Sequence, residues 1–129
     1  MLCVPKETNK TVVFLRVSDY DQVIKLERIA KSTLGRNLSA LEFVDAFSYD
    51  LTTTNIEGVY NPFTTEPKVK DCYYVLIELS SNSDLQDLQD NLLKNIQDKI
   101  PYDDCIIGLT DAQRNNIWHI REACSIACA

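Results

Sequence analysis

Positive charge is in short supply in this chain. Among 129 residues, 13 Lys and Arg face 19 Asp and Glu, for a formal net charge of -6 and a pI near 4.7. An acidic chain repels phosphate backbones, and no basic stripe offsets this; the nearest approach is "KVK" at 68–70, so nucleic-acid binding is not expected. Long apolar runs are also missing. None approaches the roughly 18 residues that a membrane helix needs. The opening "MLCVPKETNK" has neither the apolar core of a signal peptide nor an Arg-rich amphipathic stretch, so no targeting segment is read there. Histidine occurs once, as His119, with no second His, Cys or carboxylate at ligand spacing, and is read as structural. The five cysteines, Cys3, Cys72, Cys105, Cys124 and Cys128, form no CxxC pair. Their odd number and the place of three of them in apolar runs point to reduced, buried thiols in an intracellular protein, not to a disulfide framework. Internal repeats and low-complexity tracts are absent too.

What is present has the size and balance of one folded domain, with 45% hydrophobic and 25% charged residues. "TVVFLRV" at 11–17 is a β-branched strand. A helix follows it, with Ser18 expected as the cap, Asp19 and Asp21 in the first turn, Val23, Leu26, Ala30 and Leu34 on one face, and Gly35 as the stop. "LSALEFVDAF" at 38–47 reads as a second strand, and "SYDLTTT" as a short helix. Residues 55–71, with Gly58, Pro62 and Pro67, form an excursion loop. "CYYVLIEL" at 72–79 is a strand apolar enough to be buried on both faces. A helix with a Ser83–Gln86 capping box and a stripe of Leu85, Leu88, Leu92, Ile96 and Ile100 comes next, ended by Pro101. "CIIGL" at 105–109 is a short strand. The last helix opens on a Thr110–Gln113 capping box and carries Ile117, Ile120, Cys124 and Ala127 on one face. Its last turn, Ile126 to Ala129, is expected to fray. The order of elements is that of an α+β, ferredoxin-like fold: a four-stranded antiparallel sheet with helices on one face, plus a C-terminal helix.

Three strings, "LSALEFVDAF", "YYVLIELSSN" and "DAQRNNIWHIREACS", follow one another at characteristic separations, and "LCVPK" precedes the first strand. In this arrangement the chain resembles the C-terminal half of the FAD-linked oxidases of the vanillyl-alcohol-oxidase type. The resemblance implies that residues 1–129 are a single domain, part of the C-terminal substrate and cap domain, with the FAD-binding domain absent. It implies oxidation of a 2-hydroxy acid, D-2-hydroxyglutarate before D-lactate or glycolate, to the 2-oxo acid by hydride transfer to flavin. FAD would be bound mainly by the missing domain. Zinc, where the family carries it, would be held by histidines of a Gly-His-x-Gly-Asp-Gly-Asn-x-His segment downstream of this chain. The chain then reads as an incomplete, inactive piece of a mitochondrial enzyme. A different class of function also fits the fold order: a non-catalytic binding or interaction module. Sequence continuing past Ala129 into that His-rich segment would separate the two.

No catalytic residue is assigned, and the cofactor-binding residues are left unassigned. The resemblance places the substrate carboxylate at Arg121, whose planar guanidinium matches a carboxylate bidentately. The plain alternative is a surface arginine paired with Glu122 or Asp111. Ser125, one helical turn on, shares that face and stands where the family commonly has Thr; the alternative is a hydroxyl bonded back to the carbonyl one turn before it. Trp118 is expected to anchor the helix on the sheet or on a neighbouring domain. Cys124 and Cys128 leave a zinc site half built and are read as packed thiols. Glu42 and Asp45 are read as structural carboxylates, and "DLQDLQD" as the solvated face of its helix.

Overall fold

The computed structural model describes residues 9–127, with side chains in the last helix described through Cys124. The elements are β1 (Asn9–Val17), α1 (Tyr20–Leu34), a 3-10 turn (Gly35–Asn37), β2 (Leu38–Asp45), α2 (Ala46–Asn55), β3 (Tyr73–Ser81), α3 (Gln86–Lys99), β4 (Asp104–Gly108) and α4 (Asp111–Ala127). The strands form one antiparallel sheet in the order β2-β3-β1-β4, the ferredoxin-like arrangement expected from the element order.

Both faces of the sheet are covered. Val13, Leu15 and Val17 of β1 and Val75, Ile77 and Leu79 of β3 pack under α1 and α3. Val12, Phe14, Tyr74 and Leu76 point the other way, into a second cluster under α2 and α4. This explains the near-continuous apolar runs of β1 and β3. A central strand covered on both sides has no polar face to show, even in an antiparallel sheet. The pair of helices α1 and α3 occupies one face, and the C-terminal helix adds a second layer on the other, with α2 beside it. Leu26, Leu92 and Ile96 are fully buried between the first pair and the sheet. Truncating any of them to Ala should cost about 2–5 kcal/mol.

The helix ends follow local hydrogen-bonding chemistry, with some corrections to the sequence reading. Asp19, not Ser18, caps α1: its Oδ1 accepts from the Gln22 N–H at 3.0 Å, while Ser18 hydrogen-bonds the Gln22 side chain. Gly35 ends α1 as expected, at a φ of 52° that favours glycine. β2 stops at Asp45, two residues before the expected Phe47, because the Asp45 carboxylate accepts from the Ser48 N–H at 2.8 Å and starts α2 there. The Ser83–Gln86 capping box does not form. The Gln86 N–H is taken by Asp84 Oδ1 at 2.9 Å, and Ser83 bonds to Ser81 instead. The Thr110–Gln113 box forms in both directions, at 3.2 Å each way.

The excursion between α2 and β3 is fastened by a residue that sequence reasoning passed over. Arg16 is 1% exposed. Its Nε donates to Asp103 Oδ2 at 2.9 Å, Nη1 to the Thr65 carbonyl at 3.0 Å, and Nη2 to Thr65 Oγ1 at 2.9 Å and the Glu66 carbonyl at 3.1 Å. The guanidinium lies 5.0 Å from the centroid of the Phe63 ring, a cation–π distance. A buried charge is tolerated when hydrogen bonds and a counter-ion replace its water, as they do here. The loop therefore has a fixed course despite its lack of periodicity.

Candidate functional site

The site is built on α4. Its inner side, Ile117, Ile120, Ala123 and Cys124, is buried in the second cluster. The adjoining flank repeats at helical spacing as Arg114, Trp118 and Arg121, and it crosses the sheet one strand per turn. Arg114 Nη1 donates to the Lys10 carbonyl of β1 at 3.1 Å, and its guanidinium also bonds Asp111 and the Leu109 carbonyl. Trp118 Nε1 donates to Glu78 Oε2 of β3 at 2.7 Å. Arg121 Nη2 donates to Glu42 Oε2 of β2 at 3.2 Å. The helix is thus pinned in register over β1, β3 and β2.

Glu78 is a second residue that the sequence reading missed. It is buried in the apolar run "YYVLIELSS" and satisfied from two directions: Trp118 on one oxygen, and Ser39 Oγ on the other at 2.9 Å. Ser39 falls at the register shift between β2 and β3, so the irregularity in the ladder turns its hydroxyl toward Glu78. The signal that could have found Arg16 and Glu78 is the same: a charged residue inside an otherwise apolar strand.

Arg121 is neither on the open surface nor paired with Asp111, which is taken by Arg114. It is 30% exposed and its partner Glu42 is 41% exposed. Beside them opens a cleft of about 270 Å³, lined by Arg121, Phe43, Asp45, Ser48, Tyr73 and Cys124 among others. The cleft joins the C-terminal half of α4 to the end of β2 and the start of α2. A guanidinium here, held by packing but still reached by solvent, can offer N–H donors to an arriving carboxylate. Ser125 follows in α4, and its side chain lies outside those described. Trp118 meets the expectation of an anchor on the sheet.

The other candidates fall to structural roles. His119 is exposed. Asp45 is the α2 cap. Cys124 is buried between helices: its thiol accepts from Thr52 Oγ1 at 3.4 Å and points to the Ser48 carbonyl at 3.7 Å. Burial pushes the Cys72 thiol up and the Cys105 thiol up to about 12, so both stay protonated near neutrality. Cys72 and Cys105 are free thiols; Cys3 and Cys128 lie outside the described residues, as does the end of the turn expected to fray. Among the described residues no group of three or more His, Cys, Asp or Glu converges to hold a metal ion, and no helix is long and apolar enough to cross a membrane.

Residues 6–127 match the family of FAD linked oxidases, C-terminal domain. A protein named probable D-2-hydroxyglutarate dehydrogenase, mitochondrial, from Oryza sativa subsp. indica is 35% identical over 125 residues, which is 95% of this chain and 22% of that protein. The D-2-hydroxyglutarate dehydrogenase, mitochondrial, of Arabidopsis thaliana is 33% identical over 125 residues, with the same coverage of 95% and 22%. A D-2-hydroxyglutarate--pyruvate transhydrogenase of Saccharomyces cerevisiae is 31% identical over 126 residues, 96% of this chain and 24% of that protein. The chain therefore spans under a quarter of the length of these relatives. Among solved structures, the divalent ion tolerance protein CutA1 from Ehrlichia chaffeensis aligns with 90% of this chain and 95% of its own at 15% identity and a TM-score of 0.45.

Proposed function

The chain belongs to the C-terminal domain family of the FAD linked oxidases, and from that premise we propose that it is the substrate and cap domain of a dehydrogenase oxidising D-2-hydroxyglutarate to 2-oxoglutarate. The observation that carries the substrate is the match along 95% of the chain to relatives named for D-2-hydroxyglutarate. The Arg121 cleft supports it with the chemistry a 2-hydroxy acid needs: a fixed cation able to take a carboxylate in two parallel hydrogen bonds. In this reading Arg121 holds the substrate carboxylate and Ser125, one turn on, adds a hydroxyl from the same helix. Both hold and orient the substrate; neither is assigned a proton.

FAD supplies the hydride acceptor when bound. Among the described residues, no helix start offers a fully open set of N–H groups for its pyrophosphate. A helix N-terminus binds phosphate through N–H groups that have no other partner. Here Asp19, Asp45 and Thr110 occupy the starts of α1, α2 and α4, and Asp84 occupies an N–H at the start of α3. The family match supports assigning the flavin mainly to an FAD-binding domain partnered with this one. Zinc likewise finds no ligand set among the described residues, and no step is routed through it. The mitochondrial names of the rice and Arabidopsis relatives support a mitochondrial location.

The test places this chain in the Oryza sativa relative in exchange for the matching segment. Anaerobic flavin bleaching is then followed with D-2-hydroxyglutarate, D-lactate and glycolate. Fastest bleaching by D-2-hydroxyglutarate is expected. Preference for a monocarboxylate would move the substrate within the family, and a folded, flavin-loaded chimera bleached by none would overturn the reading.

A further inference from the structure

The residue facing Arg121 is itself a carboxylate. Glu42 Oε2 accepts from Arg121 Nη2 at 3.2 Å; the pair is half-exposed, and Arg121 lines the 270 Å³ cleft next to it. We propose that Glu42 is a built-in competitor for Arg121, which a substrate carboxylate must displace, and that it thereby sets the affinity of the site. The proposal rests on the reading of Arg121 as the carboxylate anchor.

Three observations carry it. First, the partnership is one that can be exchanged. An ion pair at this exposure contributes little, because water screens it and both side chains lose freedom to hold it. By contrast, the Arg16–Asp103 pair at 1% and 9% exposure is locked in by three further bonds from the guanidinium. Second, Glu42 has somewhere to go. At 41% exposure on the edge strand β2, its carboxylate can swing into water and regain full hydration. Third, the helix that carries Arg121 stays where it is. The guanidinium is carried by α4, and α4 is fixed by Ile117 and Ile120 in the core and by Trp118 on Glu78. Displacement therefore leaves the cation tethered beside the cleft that it lines while the carboxylate moves away.

Glu42 also acts on selectivity after it has been displaced. Its charge stays near the anchor, so a ligand that sends a second carboxylate toward β2 meets like-charge repulsion. On the α2 side of the cleft the Asp45 carboxylate, held on the Ser48 N–H, presents a second like charge. Glu42 is in this sense a specificity residue that never touches the reacting atoms.

The experiment is an NMR titration of the 129-residue chain with glutarate, a five-carbon dicarboxylate, reading Arg121 Nε–H and the α4 amides. Sodium sulfate at matched ionic strength is the control. Glu42→Gln, which keeps shape and removes charge, should bind glutarate about threefold tighter than the parent chain, the size set by a half-exposed ion pair. Glu42→Asp, one methylene shorter, should fall between the two. Once Arg121→Gln is in place, adding Glu42→Gln should no longer change the affinity. Equal affinity of the parent and Glu42→Gln, with shifts centred on Arg121, would overturn the competitor while leaving the anchor standing. Shifts centred elsewhere, or no binding by either chain, would overturn the anchor and the competitor with it.

Discussion

Trp118 on α4 and Glu78 on β3 are joined by a 2.7 Å hydrogen bond across the interface between helix and sheet, and this bond sets how α4 sits on the sheet. Glu78 is buried, so its carboxylate depends on that indole and on the Ser39 hydroxyl in place of water. Trp118→Phe keeps most of the ring area and removes the donor. The expected cost is about 1–3 kcal/mol, the penalty for a buried acceptor left without a partner. Urea denaturation of the two proteins measures it. A change below about half a kcal/mol would mean that water replaces the indole freely.

Arg16 gives the larger effect. Arg16→Met removes the cation, leaves Asp103 without its counter-ion and leaves two carbonyls of the 56–72 segment without their guanidinium donor. A loss of about 3–5 kcal/mol is expected, as for other broken buried pairs. Hydrogen exchange should show the loss first at the Lys68 amide, which donates to the same Asp103 oxygen at 2.8 Å. Uniform loss of protection across the sheet, with no early effect at Lys68, would contradict a local fastening role.

The same cluster sets a pH dependence. Burial alone would push Asp103 up, but the Lys68 N–H and the Arg16 guanidinium outweigh it and hold its carboxyl below the usual carboxylate range. The unfolded chain therefore binds this proton more readily than the folded one. The resulting stability is fully present above the ordinary carboxylate pKa of about 4, and it is lost as pH falls from there through the lower folded value. Melting temperatures between about pH 7 and pH 2 should fall for the parent chain, and Asp103→Asn should be less stable at neutrality with a shallower decline. Parallel curves for both proteins would remove Asp103 from the account.

In the chimera with the Oryza sativa relative, Arg121→Lys keeps a charge and loses the planar fork. A charge-assisted contact of about 1.5–3 kcal/mol corresponds to a roughly ten- to hundredfold fall in kcat/KM. Ser125→Ala should cost less, on the order of 1 kcal/mol. Melts run alongside should be unchanged, since Arg121 is 30% exposed and its Glu42 pair is weak. Undiminished kcat/KM in Arg121→Lys would return this helix to a purely structural role.

The purified 129-residue chain is expected to show no flavin absorbance and no turnover of D-2-hydroxyglutarate. The ground is the proposed assignment of the flavin to an FAD-binding domain partnered with this one, which the family match supports. A bound-flavin spectrum with turnover would sink the division of labour proposed between the two domains.

The strands and long helices were legible because burial imposes a period on the sequence, and β1 and β3 announce their double burial by unbroken apolar character. Ends were legible only where one residue could act. Gly35 and the Thr110–Gln113 box stood out, but at α3 the neighbours Ser83 and Asp84 compete for one N–H, and geometry chose Asp84. Phe47 lengthened the expected β2 because it is apolar, yet it is 74% exposed in α2. Arg121 was picked out by resemblance, but its partner was not. Glu42 lies 79 residues away and meets it only through the crossing of α4 over β2, which no local pattern encodes. Arg16 has the same difficulty, with partners 49, 50 and 87 positions along the chain.

Arg16 holds the long connection mainly by its main chain: two of its three bonds to that segment end on the carbonyls of Thr65 and Glu66. A carbonyl is the same whatever side chain it belongs to. The route of this connection is therefore dictated from the sheet, while most of its own letters are left open. Substitutions at Thr64, Glu66, Val69 or Lys70 should pass with little effect, and a single change at position 16 should release the stretch around Thr65 and Glu66, while buried Val59 and Phe63 and the Tyr60–Asn116 bonds keep the earlier part in place. Natural variation and deliberate redesign alike have room there, along a segment that reaches from the Asn55 end of α2 to the start of β3.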